Sequence, residues 1–98
     1  MNQFLQQHKQ QLVEFAKEND IKYLALFGSH ARGEEKESSD VDLLVEYSPG
    51  TSLLDVVGME LELGDQLNKK IDLVSKKYVN KHIQPYIEKD LIEIYAQV

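Results

Sequence analysis

Leu24-Ala25-Leu26-Phe27-Gly28-Ser29, then ten residues, then Asp40-Val41-Asp42-Leu43-Leu44-Val45: the reading of this chain turns on that stretch. A short apolar run ends in Gly-Ser, and two aspartates one residue apart open a second apolar run. At ordinary residue usage, Gly-Ser followed at a fixed distance by Asp-x-Asp arises by chance in so short a chain on the order of once in a thousand, so the spacing is informative in itself. Side chains alternate faces along a strand, which sends Asp40 and Asp42 to one side and Val41 and Leu43 to the other. Two carboxylates that close repel unless a cation lies between them. Oxygen-only ligands of this kind suit Mg²⁺, which also takes phosphate oxygens. Gly28 lets the backbone turn sharply after the first apolar run, freeing the amides of Ser29 and its successors to face an anion. Phosphate at one end and metal at the other is the layout of a nucleotide site.

Working outward, Ile21 to Phe27 is almost continuously apolar and rich in aromatic and branched residues, the mark of a strand covered on both faces. Ser29 to Gly33 is expected to form one helical turn. Arg32 is the nearest fixed cation, with two readings: neutralising a polyphosphate, or pairing at the surface with Glu34 or Glu35. Gly28 and Gly33 stand at the separation of P-loop glycines, but Glu34 fills the lysine place and would repel phosphate, which excludes that motif. Glu34 to Ser39 reads as a loop into a strand from Asp40 to Tyr47. An EF-hand beginning at Asp40 is excluded because its glycine and later oxygen ligands are missing, with Leu44 and Val45 in their place.

Upstream, residues 2 to 19 read as a helix with Phe4, Leu5, Leu12, Phe15 and Ala16 on its apolar stripe, closed by Asn19-Asp20. His8 falls on the edge of that stripe as a partly exposed packing residue. Downstream, Ser48-Pro49-Gly50 is a turn, and Thr51 or Ser52 caps a helix running to Asn68 with Asp55 near its start. Leu53, Leu54, Val57, Leu61 and Leu67 give that helix its expected core face. Gly58 and Gly64 each weaken it by up to ~1 kcal/mol relative to alanine, which points to close packing or to a kink. Ile71 to Val74 is a third strand in which Asp72 is the single charge. A buried, unpaired acid costs several kcal/mol, so Asp72 has a partner: the other two aspartates and their metal, or a lysine. Beyond Ser75 a capped turn to Asn80, a short helix from Ile83 to Asp90 with Pro85 in its first turn, and an edge strand over Leu91 to Ala96 complete the pattern. Tyr78, His82, Tyr86 and Tyr95 are read as packing residues before partner contacts.

The 98 residues suffice for one domain, expected to span 1–98. No stretch is apolar enough to cross a bilayer and there are no cysteines, which places the chain in the cytoplasm and excludes disulfides and thiolate metal sites. A net charge of −6 argues against direct nucleic-acid binding. That charge is uneven: residues 1–67 hold five basic and thirteen acidic side chains, residues 68–98 six and four. Lys69, Lys70, Lys76, Lys77 and Lys81 read first as a solvated surface, and second as a docking patch for an acidic partner.

Gly28-Ser29-x10-Asp40-x-Asp42 resembles the signature of the polymerase-beta-like nucleotidyltransferase superfamily. The run Leu26-Phe27-Gly28-Ser29-His30-Ala31-Arg32-Gly33 is similar to that of its minimal (MNT) members, and Lys70-Ile71-Asp72-Leu73-Val74 to the segment holding the family's third carboxylate. The resemblance implies an α/β fold, a single mixed sheet of three to four strands flanked by helices. It also implies nucleotidyl transfer with two Mg²⁺ ions, ATP as substrate, Asp40, Asp42 and Asp72 as metal-binding catalytic acids, and Gly28, Ser29 and Arg32 as nucleotide-binding residues. It further implies that the acceptor arrives on another polypeptide, a HEPN-domain toxin to whose tyrosine AMP is moved, with this chain as antitoxin. The competing classes are a non-catalytic antitoxin acting by stoichiometric contact, and a catalytic subunit for small-molecule adenylylation.

Overall fold

The computed structural model describes residues 2–97. Its frame is a four-stranded mixed sheet in the order β3-β2-β1-β4, built from β1 (Tyr23–Phe27), β2 (Val41–Glu46), β3 (Ile71–Ser75) and β4 (Ile92–Ala96). β1 runs antiparallel to both its neighbours, while β2 and β3 are parallel. The parallel pair needs a long crossover, and α3 (Leu53–Leu67) supplies it. This is the α/β fold of three to four strands and flanking helices that the sequence implied.

Alternation along the strands divides the sheet into two faces. Leu24, Leu26, Val41, Leu43, Val45, Ile71 and Leu73 form one, packed beneath α1 (Gln3–Glu18) and α3. On the opposite face Ala25, Leu44 and Ile87 make a smaller cluster with Tyr23, Phe27, Val74, Val79 and Leu91. Ile87 arrives there on α4 (Gln84–Glu88), which carries proline in its first turn as expected. β1, central and buried on both faces, has Leu24, Ala25 and Leu26 fully enclosed, which explains its lack of polar alternation.

α1 buries all five residues of its expected stripe, and Asn2 caps it by accepting from the Leu5 amide at 3.1 Å. His8 is half-buried with its ring 4.9 Å from that of Phe4, a packing histidine. α3 departs from expectation. Its N-terminus is fixed by a reciprocal capping box between Ser52 and Asp55, but its buried residues are Met59, Leu63 and Leu67. Leu53, Leu54, Val57 and Leu61, expected in the core, are exposed, and of that set Leu67 alone is buried. The cause is a second apolar row, with Val56, Met59, Leu63 and Leu67 recurring at helical spacing on a different side. Gly64 is explained by close packing, since a Cβ there would stand 3.0 Å from the Lys69 carbonyl oxygen; at Gly58 the space is open. Tyr78 and Tyr86 also project into solvent, against the expectation that they pack, while Tyr95 lies against the main core. No described helix is long and apolar enough to cross a membrane.

Candidate active site

β1 delivers its C-terminal end to a sharp bend at Gly28, where the backbone takes a φ of +77° that side-chain-bearing residues rarely adopt. α2 (Gly28–Arg32) starts there and ends at Gly33, again left-handed. Phe27 is paired across the sheet with Asp42, so the bend lies directly against that acid. A Cβ on Gly28 would collide with Oδ2 of Asp42 and stand 3.1 Å from its Cγ. Glycine is required here twice over, by backbone angle and by contact.

Asp42 is also in register with Asp72 on the adjoining parallel strand. Neighbouring strands lie roughly 4.8 Å apart, and residues in register on parallel strands share a face, so the two carboxylates stand side by side. Asp42 is half-buried and Asp72 exposed on the outermost strand. Burial raises the Asp42 carboxyl above its usual pKa, the charges of Asp72 and Asp40 raise it further, and Arg32 opposes them. Negative charge is thus concentrated on this end of the sheet beyond what nearby cations offset.

Asp40 is placed differently from expectation. It lies just ahead of β2, which begins at Val41, and its Oδ2 is 3.8 Å from the Nζ of Lys70. That pair is long and largely exposed and contributes little to stability. Among the described residues Asp72 makes no ion pair with a lysine, the alternative partner weighed for it, and Lys70 pairs with Asp40. Among the described residues no trio of His, Cys, Asp or Glu side chains is gathered closely enough to grip a metal ion as they stand. The donor set itself, carboxylate oxygens in register with their charge uncompensated, is the chemistry that hard divalent cations such as Mg²⁺ accept.

Arg32 makes two ion pairs, Nε to Glu34 at 3.1 Å and a terminal guanidinium nitrogen to Asp90 at 3.2 Å. The surface pairing with Glu34 weighed from the sequence is therefore present. The bond to Asp90 adds a tie from α2 to the segment after α4, and the guanidinium is still close enough to act on Asp42.

One residue escaped the sequence reading. His30, next to Ser29, is fully buried. Its Nδ1 lies 3.1 Å from the Asp40 carbonyl oxygen, and since a carbonyl only accepts, Nδ1 carries the proton. Burial lowers its pKa, so the ring is neutral and Nε2 is a bare acceptor, enclosed without a partner among the described residues. Asn2 fastens the same turn, donating from Nδ2 to the carbonyls of His30 at 2.8 Å and Ala31 at 3.2 Å. The glycine bend and the segment carrying Asp40 are thereby pinned together. A histidine within Gly28-Ser29-His30-Ala31-Arg32 was visible in the sequence, but its contact ten residues away was not.

Asp40 and Asp42 are half-buried and Asp72 is exposed. The larger hollows are elsewhere, one of about 590 Å³ at the other end of β2 and β3 between Glu46–Thr51 and Ser75–Tyr78, and one of about 570 Å³ along α3 and β3.

A mixed sheet with a glycine bend abutting one acid, and a second acid in register beside it, defines a class: nucleotidyltransferases built on a single small sheet. Residues 10–97 match the family model described as polymerase beta, nucleotidyltransferase, and the chain belongs to that family. It is 40% identical over 95 residues to a protein of Methanocaldococcus jannaschii named "Putative protein adenylyltransferase MJ0126", covering 96% of this chain and 94% of that one. It is 33% identical over 87 residues to the protein adenylyltransferase MntA of Thermococcus cleftensis, covering 89% and 85%. Among solved structures, the fold matches one of a tri-AMPylated Shewanella oneidensis HEPN toxin in complex with MNT antitoxin. The TM-score is 0.73 and the identity 15%, with 94% of this chain and 72% of that one covered. The resemblance to minimal nucleotidyltransferases drawn from the Gly-Ser and Asp-x-Asp motif is borne out.

Proposed function

We propose that this chain moves AMP from ATP to a tyrosine hydroxyl of a HEPN-domain toxin and thereby acts as its antitoxin. The observation that carries the reading is the pairing of Asp42 with Asp72 while Gly28 abuts Asp42. Nucleotide and acceptor can then meet over one pair of carboxylates. Relatives named as protein adenylyltransferases support the reaction type. The partner class is supported by the structural likeness to an antitoxin bound to an AMPylated HEPN toxin.

Two Mg²⁺ ions bound by Asp40, Asp42 and Asp72 would neutralise the phosphates and acidify the acceptor hydroxyl, whose pKa as a free phenol is about 10. The chain's own residues do the rest. Gly28 and Ser29 hold the triphosphate against the bend. Asp72, exposed on the outer strand, faces the incoming acceptor and takes the proton from its hydroxyl. The acceptor oxygen bonds to the alpha phosphorus as the bond to the beta-phosphate oxygen breaks, and pyrophosphate leaves in line. Arg32 exchanges its pairing with Glu34 or Asp90 for the departing phosphates. His30 keeps Asp40 in place through its carbonyl.

Intact-mass measurement of a co-expressed HEPN partner tests this. One or more added AMP units are expected with the parent chain and none with Asp42→Asn. A partner that is neutralised yet unmodified would overturn the transferase reading in favour of stoichiometric inhibition.

A further inference from the structure

α3 carries an apolar row that the fold leaves unused. Leu53, Val57 and Leu61 follow at four-residue steps with Leu54 beside them, and they are 80%, 44%, 67% and 81% exposed in the order Leu53, Val57, Leu61, Leu54. Four contiguous aliphatic side chains in water on one helix face are an interaction surface, unlike scattered single residues. The row continues into the hollow of about 570 Å³ between α3 and β3, lined by Val57, Leu61, Gly64, Lys70 and Ile71.

Three features of the surface define what covers it. First, β3 is one of the two edge strands of the sheet, but the N–H of Leu73 already donates to the Glu60 carboxylate at 3.0 Å. An added strand would have to displace that bond, so the groove favours a helix laid along α3 over an extended peptide. Second, Asp55, Glu62 and Asp65 are exposed along one flank of the row. A second copy packed antiparallel about a two-fold axis would set this acidic flank against itself, and the chain already carries a net charge of −6. A helix with lysine or arginine along the matching flank complements it. Third, β3 bears Asp72 on its other face, so an occupant of this edge stands within one sheet thickness of the acid.

We propose that the α3 row and the adjoining β3 edge are the docking surface for the acceptor protein, which covers them with an amphipathic helix flanked by basic residues. The identity of that acceptor as a HEPN-domain protein rests on the function proposed above; the surface and the chemistry of its occupant rest on α3. The partner is held on one side of the edge strand and presents its hydroxyl on the other.

Titration calorimetry of the purified chain against the HEPN-domain partner, with light scattering of the chain alone, tests the proposal. Leu53→Lys and Leu61→Lys are each expected to weaken binding by at least about tenfold. Glu62→Lys should weaken it by a factor that shrinks as salt is raised. All three should keep the thermal shift given by ATP with Mg²⁺, because none touches the acids or the glycine bend. Leucine variants that bind like the parent would overturn the assignment. So would a parent that does not bind, or a chain dimer that Leu61→Lys converts to monomer. Failure of the transferase reading looks different: a complex that Leu61→Lys breaks but in which no AMP is transferred leaves the docking surface standing and removes the chemistry.

Discussion

The two faces of the sheet are made from the same strands, one residue out of step, and do opposite work. On the helix side Val41, Leu43 and Val45 of β2 are fully enclosed beneath α1 and α3. On the other side the residue between the first two is Asp42, half-buried and pushed toward its neutral form by burial and by Asp72 and Asp40. The first face lowers the free energy of the fold. The second adds only the small cluster around Ala25, Leu44 and Ile87, and at its end keeps two like charges adjacent where a structural role would have separated or paired them. On the function proposed above, stability and chemistry are allotted by the period-two alternation of a single strand.

Substitutions on the two faces should therefore move stability and activity independently, and the largest effect is expected on the open side. Asp42→Asn should lower AMP transfer by about a thousandfold or more, since the charge stabilisation that such a site supplies is worth several kcal/mol. Its melting temperature without ligand should be unchanged or higher, because a half-buried charge beside two others is removed. A variant that melts lower would contradict the division between the faces. Leu12→Ala, on the dry side, should do the reverse: about 2–5 kcal/mol less stability in a denaturant titration, with the folded fraction retaining its turnover.

His30 links the two regimes, being packed against Phe4 of the core and bonded to the Asp40 carbonyl. His30→Phe keeps the buried ring and loses the bond. Transfer should fall by roughly 10–100-fold, as when a group that orients a metal ligand is removed, with a smaller change in melting temperature. Equal activity would reduce His30 to a packing residue.

The smallest effect is expected at Tyr47, on the helix side. Its hydroxyl is buried without a partner among the described residues, and burial, with the charge of Glu60, pushes its pKa up to about 12. Below pH 10 the phenol is neutral in both the folded and the unfolded chain; as pH rises from 10 toward 12 the unfolded chain ionises first, and the fold loses stability. Tyr47→Phe should remove this alkaline loss and, by deleting an unsatisfied buried group, raise stability at neutral pH by up to about 1 kcal/mol. Melting curves at neutral pH and at pH 11 read both effects.

Legibility in the sequence followed the range of the interactions. The α1 stripe, the enclosed β1 and the turn at Gly28 are set by spacing within a few residues, and each was readable. On α3 two apolar rows recur at the same helical interval, and nothing local says which one faces the sheet. Of the expected face Leu67 is buried, while Leu53, Leu54, Val57 and Leu61 are exposed and Met59 and Leu63 face the sheet in their place. The partners of the charged groups were less legible still. Arg32 meets Asp90, and Lys70 meets Asp40, through the meeting of segments far apart in the chain. The in-register placing of Asp42 and Asp72 depends on which strand lies beside β2, which the motif resemblance suggested and periodicity alone could not decide.

The central claim is that Asp42 and Asp72, adjacent on parallel strands, form one nucleotide-metal site with the Gly28 bend. Titration calorimetry of ATP into the isolated chain, with and without Mg²⁺, for the parent and for Asp72→Asn, tests it most directly. Binding that requires Mg²⁺ in the parent and is weakened at least about tenfold in the variant is the result predicted here. ATP binding of equal strength in both, or binding indifferent to Mg²⁺, would contradict it.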